Sequence, residues 1–452
     1  MHPRETRLLA LALLTVLTAG CETKREAPPN ILFLVIDSLR ADHLGFAGYD
    51  RPTSPTLDSL AAGGVAFTSC VAQAPYTLAS VPSLLTGRYP TEAYIPATVT
   101  STTPGTTLDA VLLGRGVATI ASLLRPLGYE SAMINANASM RHRLLGVKDQ
   151  FDFVDESPEC VAGRCAEITN RAALEWLTTR TSGRPWLCYI HYMDVHHPYG
   201  APPRFSARFS PSYDRLPPPR FDARHKTAWE EPGPEELAHV TGMYDAEIAY
   251  LDSQISRLLD VLSRRGLSDD LLVVVASDHG EELHDHGGFG HGETLYEEQI
   301  RCPLILQWPG NVPRGVLLDC PVQNVDIVPT VLDLVGEIPP DGLRGASLVS
   351  HFGGDCRPRS VFSEERGISI RRGTWKLWQG DDGVWRLFDL VSDPGEHADR
   401  AAIEADTLAA LHVALENWRS TLAPPPEPAT PVIAPALDSA AVEKLQALGY
   451  VQ

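Results

Sequence analysis

Two acidic turns constrain this chain more than anything else in it. Val35-Ile36-Asp37-Ser38-Leu39-Arg40 and Ala276-Ser277-Asp278-His279-Gly280 each close a strongly apolar run, although they lie far apart in sequence. In a parallel α/β sheet, side chains just past the strand C-termini converge on the crevice where ligands bind. Asp37, Asp278 and His279 can therefore meet in space and share one metal ion.

The rest of the chain supports such a sheet. Asn30 to Ile36, Glu130 to Ile134, Trp186 to His191, Leu271 to Ala276 and Pro303 to Gln307 are rich in β-branched or aliphatic residues and read as buried strands. Between them lie helical patterns. In Glu235 to Arg265 the residues Leu237, Val240, Tyr244, Ile248, Leu251, Ile255, Leu258 and Leu262 recur at three- and four-residue steps, and Gly266 supplies a stop. The expected fold is α/β, a mainly parallel central sheet flanked by helices on both faces. The Pro-rich stretch Pro198 to Pro234 reads equally as an entrance loop or as an ordinary surface insertion, and the segment Tyr94 to Thr107 as an entrance loop.

The texture changes after about residue 355. Val361 to Glu364, Ile368 to Trp378 and Val384 to Leu390 resemble short strands around the polar turn Gln379 to Gly383, followed by a helix from Ala401 to Leu422. This predicts a smaller C-terminal α+β subdomain. The expected organisation is a leader over 1–20, a tether over 21–29, the main domain over 30–355, the subdomain over 356–423, and a Pro-rich connector with a terminal helix, Ser439 to Gly449, over 424–452.

Composition narrows the function. The 452 residues carry 57 Asp plus Glu against 38 Lys plus Arg, a formal charge of −19, with the basic residues scattered. A nucleic-acid surface is not expected. The leader has Arg4 and Arg7, an apolar core from Leu8 to Leu17 too short to span a bilayer, and the ending Leu17-Thr18-Ala19-Gly20-Cys21. That ending resembles a bacterial lipoprotein processing site, which makes Cys21 the lipidated residue of an exported, envelope-bound protein; a plain secretory peptide or an uncleaved anchor is the competing reading. Of the other cysteines, Cys160 and Cys165 are spaced to bridge a short loop, while Cys188 and Cys302 sit in apolar runs as buried thiols rather than ligands.

Several segments together resemble the sulfatase family of the alkaline-phosphatase superfamily: Asn30 through Gly45, Leu85-Thr86-Gly87-Arg88-Tyr89-Pro90, Ser277-Asp278-His279-Gly280-Glu281, Gly290-His291-Gly292 before Leu295-Tyr296-Glu297-Glu298, and Asp326-Ile327-Val328-Pro329-Thr330. The likeness extends over roughly residues 30 to 400 and implies hydrolysis or transfer of an anionic ester. One departure is informative. The family oxidises a Cys or Ser to formylglycine, and the matching position here is Thr77, in Thr77-Leu78-Ala79-Ser80-Val81, without the Pro and Arg of the maturation signal. Formylglycine is not expected. Thr is the nucleophile in branches that transfer phosphoglycerol or related groups.

The metal set differs as well. Ser38 and His279 stand where the family places Asp and Asn, so ligands Asp37, Asp278, His279 and Thr77 suit manganese, zinc or magnesium better than calcium. The resemblance assigns His196 and His291 to the transferred group or the leaving oxygen; Arg88, next to the helix, is evenly balanced between orienting that group and a structural role. Ser38, Asp194 and His197 are evenly balanced between functional and structural roles, Asp42 and His43 read as turn residues, and the run from Glu281 to His286 reads as a solvated loop rather than a second metal site. The leading expectation is phosphoester chemistry with Thr77 as nucleophile; the alternatives are a sulfuric ester hydrolase and a non-catalytic binding lipoprotein.

Overall fold

The computed structural model describes residues 28–100, 107–157, 165–210, 212, 214–216, 232–425 and 437–447. The leader with Cys21, Cys160 and most of the connector 424–435 lie outside them. The main sheet contains β1 (Asn30–Ile36), β2 (Val65–Val71), β3 (Glu130–Asn135), β4 (Phe153–Asp155), β5 (Trp186–Tyr192), β6 (Leu271–Ser277), β7 (Arg301–Gln307) and β8 (Val316–Leu318). Their order across the sheet is β8-β2-β7-β6-β1-β5-β3-β4, with Val322–Gln323 adding to β2.

β1 and β6 sit in the middle because both are apolar on both faces. Ile31, Phe33 and Val35 pack into one core, Leu32, Leu34 and Ile36 into another, and every one is fully buried. Burying each such side chain contributes about 1.5–3 kcal/mol, which no edge position would provide. On the first face lies the helix Thr77–Thr86, through Leu78, Val81, Leu84 and Leu85. The helix Pro234–Arg264 covers the second with Val240, Tyr244, Ile248, Leu251, Ile255, Leu258 and Leu262, the periodic stripe read from sequence. Gly266, at φ 67°, follows its end.

Four features depart from expectation. β2 was not foreseen. β7 runs antiparallel to both β2 and β6, whereas all other pairings in the sheet are parallel. The described part of Tyr94 to Thr107 is not loop: the strand Tyr94–Thr100 pairs antiparallel with Thr107–Leu113, and the terminal helix Ser439–Ala447 packs Leu445 against that strand pair. Ile368 to Trp378 is two strands, Gly367–Arg372 and Trp375–Gly380, because Gly373 at φ 61° turns the chain between them.

With Ser360–Glu364 and Trp385–Asp389 these form a four-stranded antiparallel sheet. The helix Ala405–Arg419 packs on it through Leu411 and Leu415. The described part of Pro198 to Pro234 contains the helix Pro203–Phe209. Cys320 and Cys356 are bridged, Cys165 is also disulfide-bonded, and Cys70, Cys188 and Cys302 are buried thiols.

Candidate active site

Ile36 of β1 pairs with Ser277 of β6, so the next residues, Asp37 and Asp278, leave the sheet side by side. Both are fully buried. Ser38 adopts φ 60°, a left-handed conformation uncommon for a residue with a Cβ. That turn brings its N–H to 3.4 Å from Asp278 Oδ1 and lets its hydroxyl donate to Asp37 Oδ1 at 3.1 Å. Ser277 Oγ ties the two turns together, accepting from the Leu39 N–H at 3.0 Å and donating to the Ile36 carbonyl at 2.7 Å.

Facing the carboxylates is Thr77, the first residue of its helix. It makes no helix cap, which removes the ordinary structural use of such a Thr. Its Oγ1 instead lies 3.2 Å from His279 Nε2 and 3.5 Å from Asp37 Oδ2. Ser80, one turn along, donates to the Asp278 carbonyl at 2.5 Å and holds the helix start over the site. The N–H groups of a helix's first turn lack intrahelical acceptors and favour an anion there.

The protons in this cluster can be placed. His279 Nδ1 lies 2.9 Å from the Gly280 carbonyl, which only accepts, so Nδ1 carries hydrogen. In the neutral ring the Nε2 lone pair then points at Asp37 Oδ1 and Asp278 Oδ2, each 3.5 Å away, and at Thr77. Asp278 Oδ2 accepts no hydrogen bond. Electron-rich atoms converging in a buried pocket call for a cation, so these residues fit a divalent ion.

The charge distribution agrees. Burial works against ionising Asp37, but the His191 hydrogen bond and the neighbouring imidazoles hold its carboxyl well below the usual range. Burial and the charge of Asp37 push Asp278 upward. His279 rises despite burial because both aspartates attract a proton to it, a place that a metal ion would take.

Sequence reasoning missed the supports of Asp37. Its Oδ2 accepts from Asn137 Nδ2 at 2.7 Å and from His191 Nε2 at 3.1 Å. Because the carboxylate only accepts, His191 carries hydrogen on Nε2 and takes the Tyr189 hydroxyl on Nδ1 at 2.9 Å; it is a donor to Asp37 rather than a metal ligand. Asn137 follows the end of β3 and was findable by the rule that exposed Asp37. His191 lies within a buried strand, where a lone His gives no such signal.

The other expected residues divide into two groups. His196, His197 and His291 come together beside His279, with His279 and His291 ring centroids 4.3 Å apart. The run from Glu281 to His286 is not a solvated loop: Glu281 is fully buried, 3.0 Å from His291 Nδ1, and Glu282–Leu283 pairs with Phe289–Gly290. Burial opposes its ionisation, yet His291 and His197 keep Glu281 well below the ordinary range. Arg88 is not in the site. It follows the far end of the ten-residue helix that Thr77 begins, against Gly342, roughly 15 Å along the axis. Asp194 accepts from the Ala166 N–H at 2.9 Å at the start of the helix Cys165–Thr179, Asp42 pairs with Arg40 at 2.8 Å, and His43 pairs with Asp245 at 2.8 Å.

A cavity of about 330 Å³ opens onto Thr77, lined among others by Tyr76, Tyr94, Arg143, His291 and Arg366. The hairpin supplies Tyr94, and the C-terminal sheet supplies Glu365 and Arg366, at φ 76° and 55°. Glu365 accepts from the hydroxyls of Tyr76 and Tyr94 at 2.9 and 2.8 Å. None of the described residues of Pro198 to Pro234 lines it.

Comparison with known proteins matches a profile described as Sulfatase to residues 29–337, and one described as N-sulphoglucosamine sulphohydrolase, C-terminal, to residues 285–420. The chain is 28% identical to an ulvan-active sulfatase of Formosa agariphila, over 71% of this chain and 64% of that one. It is 24% identical to the N-acetylglucosamine-6-O-sulfatase of Bacteroides thetaiotaomicron, over 86% of each chain. A protein solved with D-glucosamine-2-N,6-O-disulfate superposes with TM-score 0.71 at 20% identity, covering 87% of this chain and 98% of that one. The phosphonate monoester hydrolase of Agrobacterium radiobacter does so with TM-score 0.71 at 20% identity, covering 87% and 96%. Such structural likeness establishes a shared fold, and the profile covering most of the chain establishes descent: the protein belongs to the sulfatase family of the alkaline-phosphatase superfamily and is a sulfatase-like hydrolase.

Proposed function

We propose that the chain hydrolyses sulfate esters, with Thr77 Oγ1 as nucleophile and sulfated sugars as the substrate class. One observation carries the chemistry: a buried hydroxyl that caps nothing lies 3.2 Å from His279 Nε2 and 3.5 Å from Asp37 Oδ2, at a helix start that opens into the cavity. The substrate class rests on the relatives, most of which are named as sulfatases.

A divalent ion held by Asp37, Asp278, His279 and Thr77 would polarise an ester oxygen and lower the pKa of the hydroxyl. The chain's own residues do the rest. Asn137 and His191 fix the Asp37 carboxylate, Ser80 fixes the helix, and the helix start faces the group being transferred. The Thr77 oxygen bonds to sulfur, the sulfur–alkoxy bond breaks, the alcohol leaves with the proton that Thr77 gives up, and water then cleaves the threonyl ester to restore the hydroxyl.

Phosphodiesters or phosphonate monoesters form the second reading. Two features favour it: Thr77 in place of the oxidisable residue, and the Asp278-His279 pair. We retain the envelope address in this proposal, with Cys21 as the lipid anchor; incorporation of labelled palmitate that vanishes in Cys21→Ala tests it.

The deciding assay offers aryl sulfate, aryl phosphodiester and aryl phosphonate to protein loaded separately with manganese, zinc, magnesium or calcium, in wild type and Thr77→Ala. Sulfate turnover lost in Thr77→Ala supports the main reading. Turnover confined to the phosphorus esters selects the second. Turnover that survives Thr77→Ala removes the nucleophile, and ion binding without any turnover makes the protein a binding module.

A further inference from the structure

The turn that carries Arg366 breaks a local rule with no structural return. Glu364 of the strand Ser360–Glu364 pairs with Ile368 of Gly367–Arg372, so the chain reverses over Glu365, Arg366 and Gly367, at φ 76°, 55° and 132°. Left-handed backbone is costly for a residue with a Cβ, and glycine or asparagine ordinarily fills such places. Gly367 obeys the rule, since a Cβ there would lie 2.2 Å from the Gln379 carbonyl oxygen. Glu365 departs from it with a reason in the fold, because its carboxylate accepts from the Tyr76 and Tyr94 hydroxyls. Arg366 has no such reason: it is exposed, and it makes no hydrogen bond or ion pair among the described residues. Strain kept at a residue the fold does not need points to what its side chain binds.

The place of that side chain says what it binds. Arg366 lines the cavity that opens onto Thr77. Its guanidinium lies over the ring of Tyr76, 5.9 Å from the centroid, and Tyr76 directly precedes Thr77. A guanidinium over an aromatic face keeps its N–H fork for a carboxylate or sulfate. Thr77 and the residues facing it handle the ester itself, so an anion at Arg366 is a second one on the same molecule. Asp109, Glu293 and Glu365 share the cavity with Arg366 and Arg143, and Arg143 is turned to the Asp109 carbonyl. Such a wall does not attract anions in general. A second acidic group is favoured only where it meets the Arg366 fork.

We propose that Arg366 selects substrates by binding a second acidic group, a carboxylate or a further sulfate, on the saccharide that bears the ester. The turn makes this contact selective: with Glu365 tied to both tyrosines, the backbone that carries the guanidinium is fixed before the ligand arrives. The inference rests on the reading that sulfated sugars are the substrate class.

The test titrates full-length, manganese-loaded protein, carrying Thr77→Ala to prevent turnover, with sulfated saccharides in a calorimeter. The probes have no other charge, one carboxylate, or one further sulfate. The acid-bearing probes should bind roughly 10- to 100-fold tighter than the first, the range for one charged hydrogen-bonded contact, and Arg366→Gly should bring all three within twofold. A preference for only one of the two acids supports the proposal and identifies the group. Equal affinities before the substitution, a preference that survives it, or binding of none of the probes overturns it. Arg366→Gly should also melt at or above the wild-type temperature, because glycine adopts φ 55° without strain; melting well below it makes Arg366 a structural residue and overturns the proposal too. Arg366→Asn, which tolerates the same backbone, repeats the comparison with the same expectations. Aryl sulfate turnover is scored separately with Thr77 intact. Turnover without any acid preference overturns the selectivity alone, and an acid preference lost in Arg366→Gly without sulfate turnover overturns the sulfate-ester reading alone.

Discussion

Replacing His191 tests how the site holds its metal. Besides Thr77, Asp37 Oδ2 accepts from Asn137 at 2.7 Å and from His191 at 3.1 Å, and all these residues are buried. His191→Leu removes one charge-assisted hydrogen bond, worth about 1.5–3 kcal/mol. If that energy serves to orient the carboxylate, metal affinity falls roughly 10- to 100-fold, the range for supports of a metal ligand.

Two opposing effects must be weighed. A less hydrogen-bonded carboxylate is a stronger base and binds an ion more tightly once aligned, but it also binds protons more tightly. Burial opposes ionisation of Asp37, and the His191 hydrogen bond is the largest influence that overcomes it. Its loss therefore raises the Asp37 pKa, and the pH below which metal binding fails moves upward. Competition titration against a fluorescent chelator, repeated between pH 5 and pH 8, measures both quantities. His191→Gln, which retains an N–H donor, should recover part of the affinity. An affinity for His191→Leu within twofold of wild type, with an unmoved pH midpoint, would refute the claim that Asp37 is oriented from behind.

Other outcomes follow from the same geometry. Thr77→Ala should lower kcat by roughly 10³-fold or more while shifting denaturant stability by less than about 1 kcal/mol, because no cap is lost; a large stability loss would return Thr77 to a structural role. Arg88→Ala should leave kcat/KM within twofold of wild type, since Arg88 lies past the far end of the helix; a tenfold loss contradicts that placement. Lys376→Met should cost about 3–5 kcal/mol in urea unfolding, because Nζ lies 3.0 Å from both Glu297 and Glu396 in a buried cluster; near-wild-type stability would refute the pairing. Glu396 is pushed up to about 7, because burial, helped by the charge of Glu297, outweighs the opposing Lys376. The unfolded chain therefore releases that proton at lower pH than the folded one, and this group's contribution to stability falls as pH rises from about 4.5 to 7. In Glu396→Gln that part of the slope should vanish from urea midpoints measured across the interval.

How much could be read in advance varies from element to element. Strands apolar on both faces announced themselves, as did the helix Pro234–Arg264, displaced by one residue from its sequence reading. β2 escaped because Thr68 and Ser69 interrupt its apolar run. Tyr94–Thr100 escaped because Pro96 and its threonines resemble a loop; a hairpin pairing with Thr107–Leu113 overrode that local preference. Glu281 reads as solvated because a charged run normally is, and the neighbouring imidazoles explain its complete burial.

The sequence by itself determined the α/β class, the two central strands and the carboxylates at their ends, since uninterrupted apolar runs bury on both faces and polar residues at their termini are delivered to one crevice. Tertiary structure alone decided which side chains stand behind Asp37, that Arg88 is remote, that β7 runs antiparallel, and that Glu281 joins three histidines. Those facts depend on register and on the meeting of distant segments. Hydrogen bonds such as His191 to Asp37, 154 residues apart in sequence, leave no local pattern of hydrophobicity or turn chemistry from which to infer them.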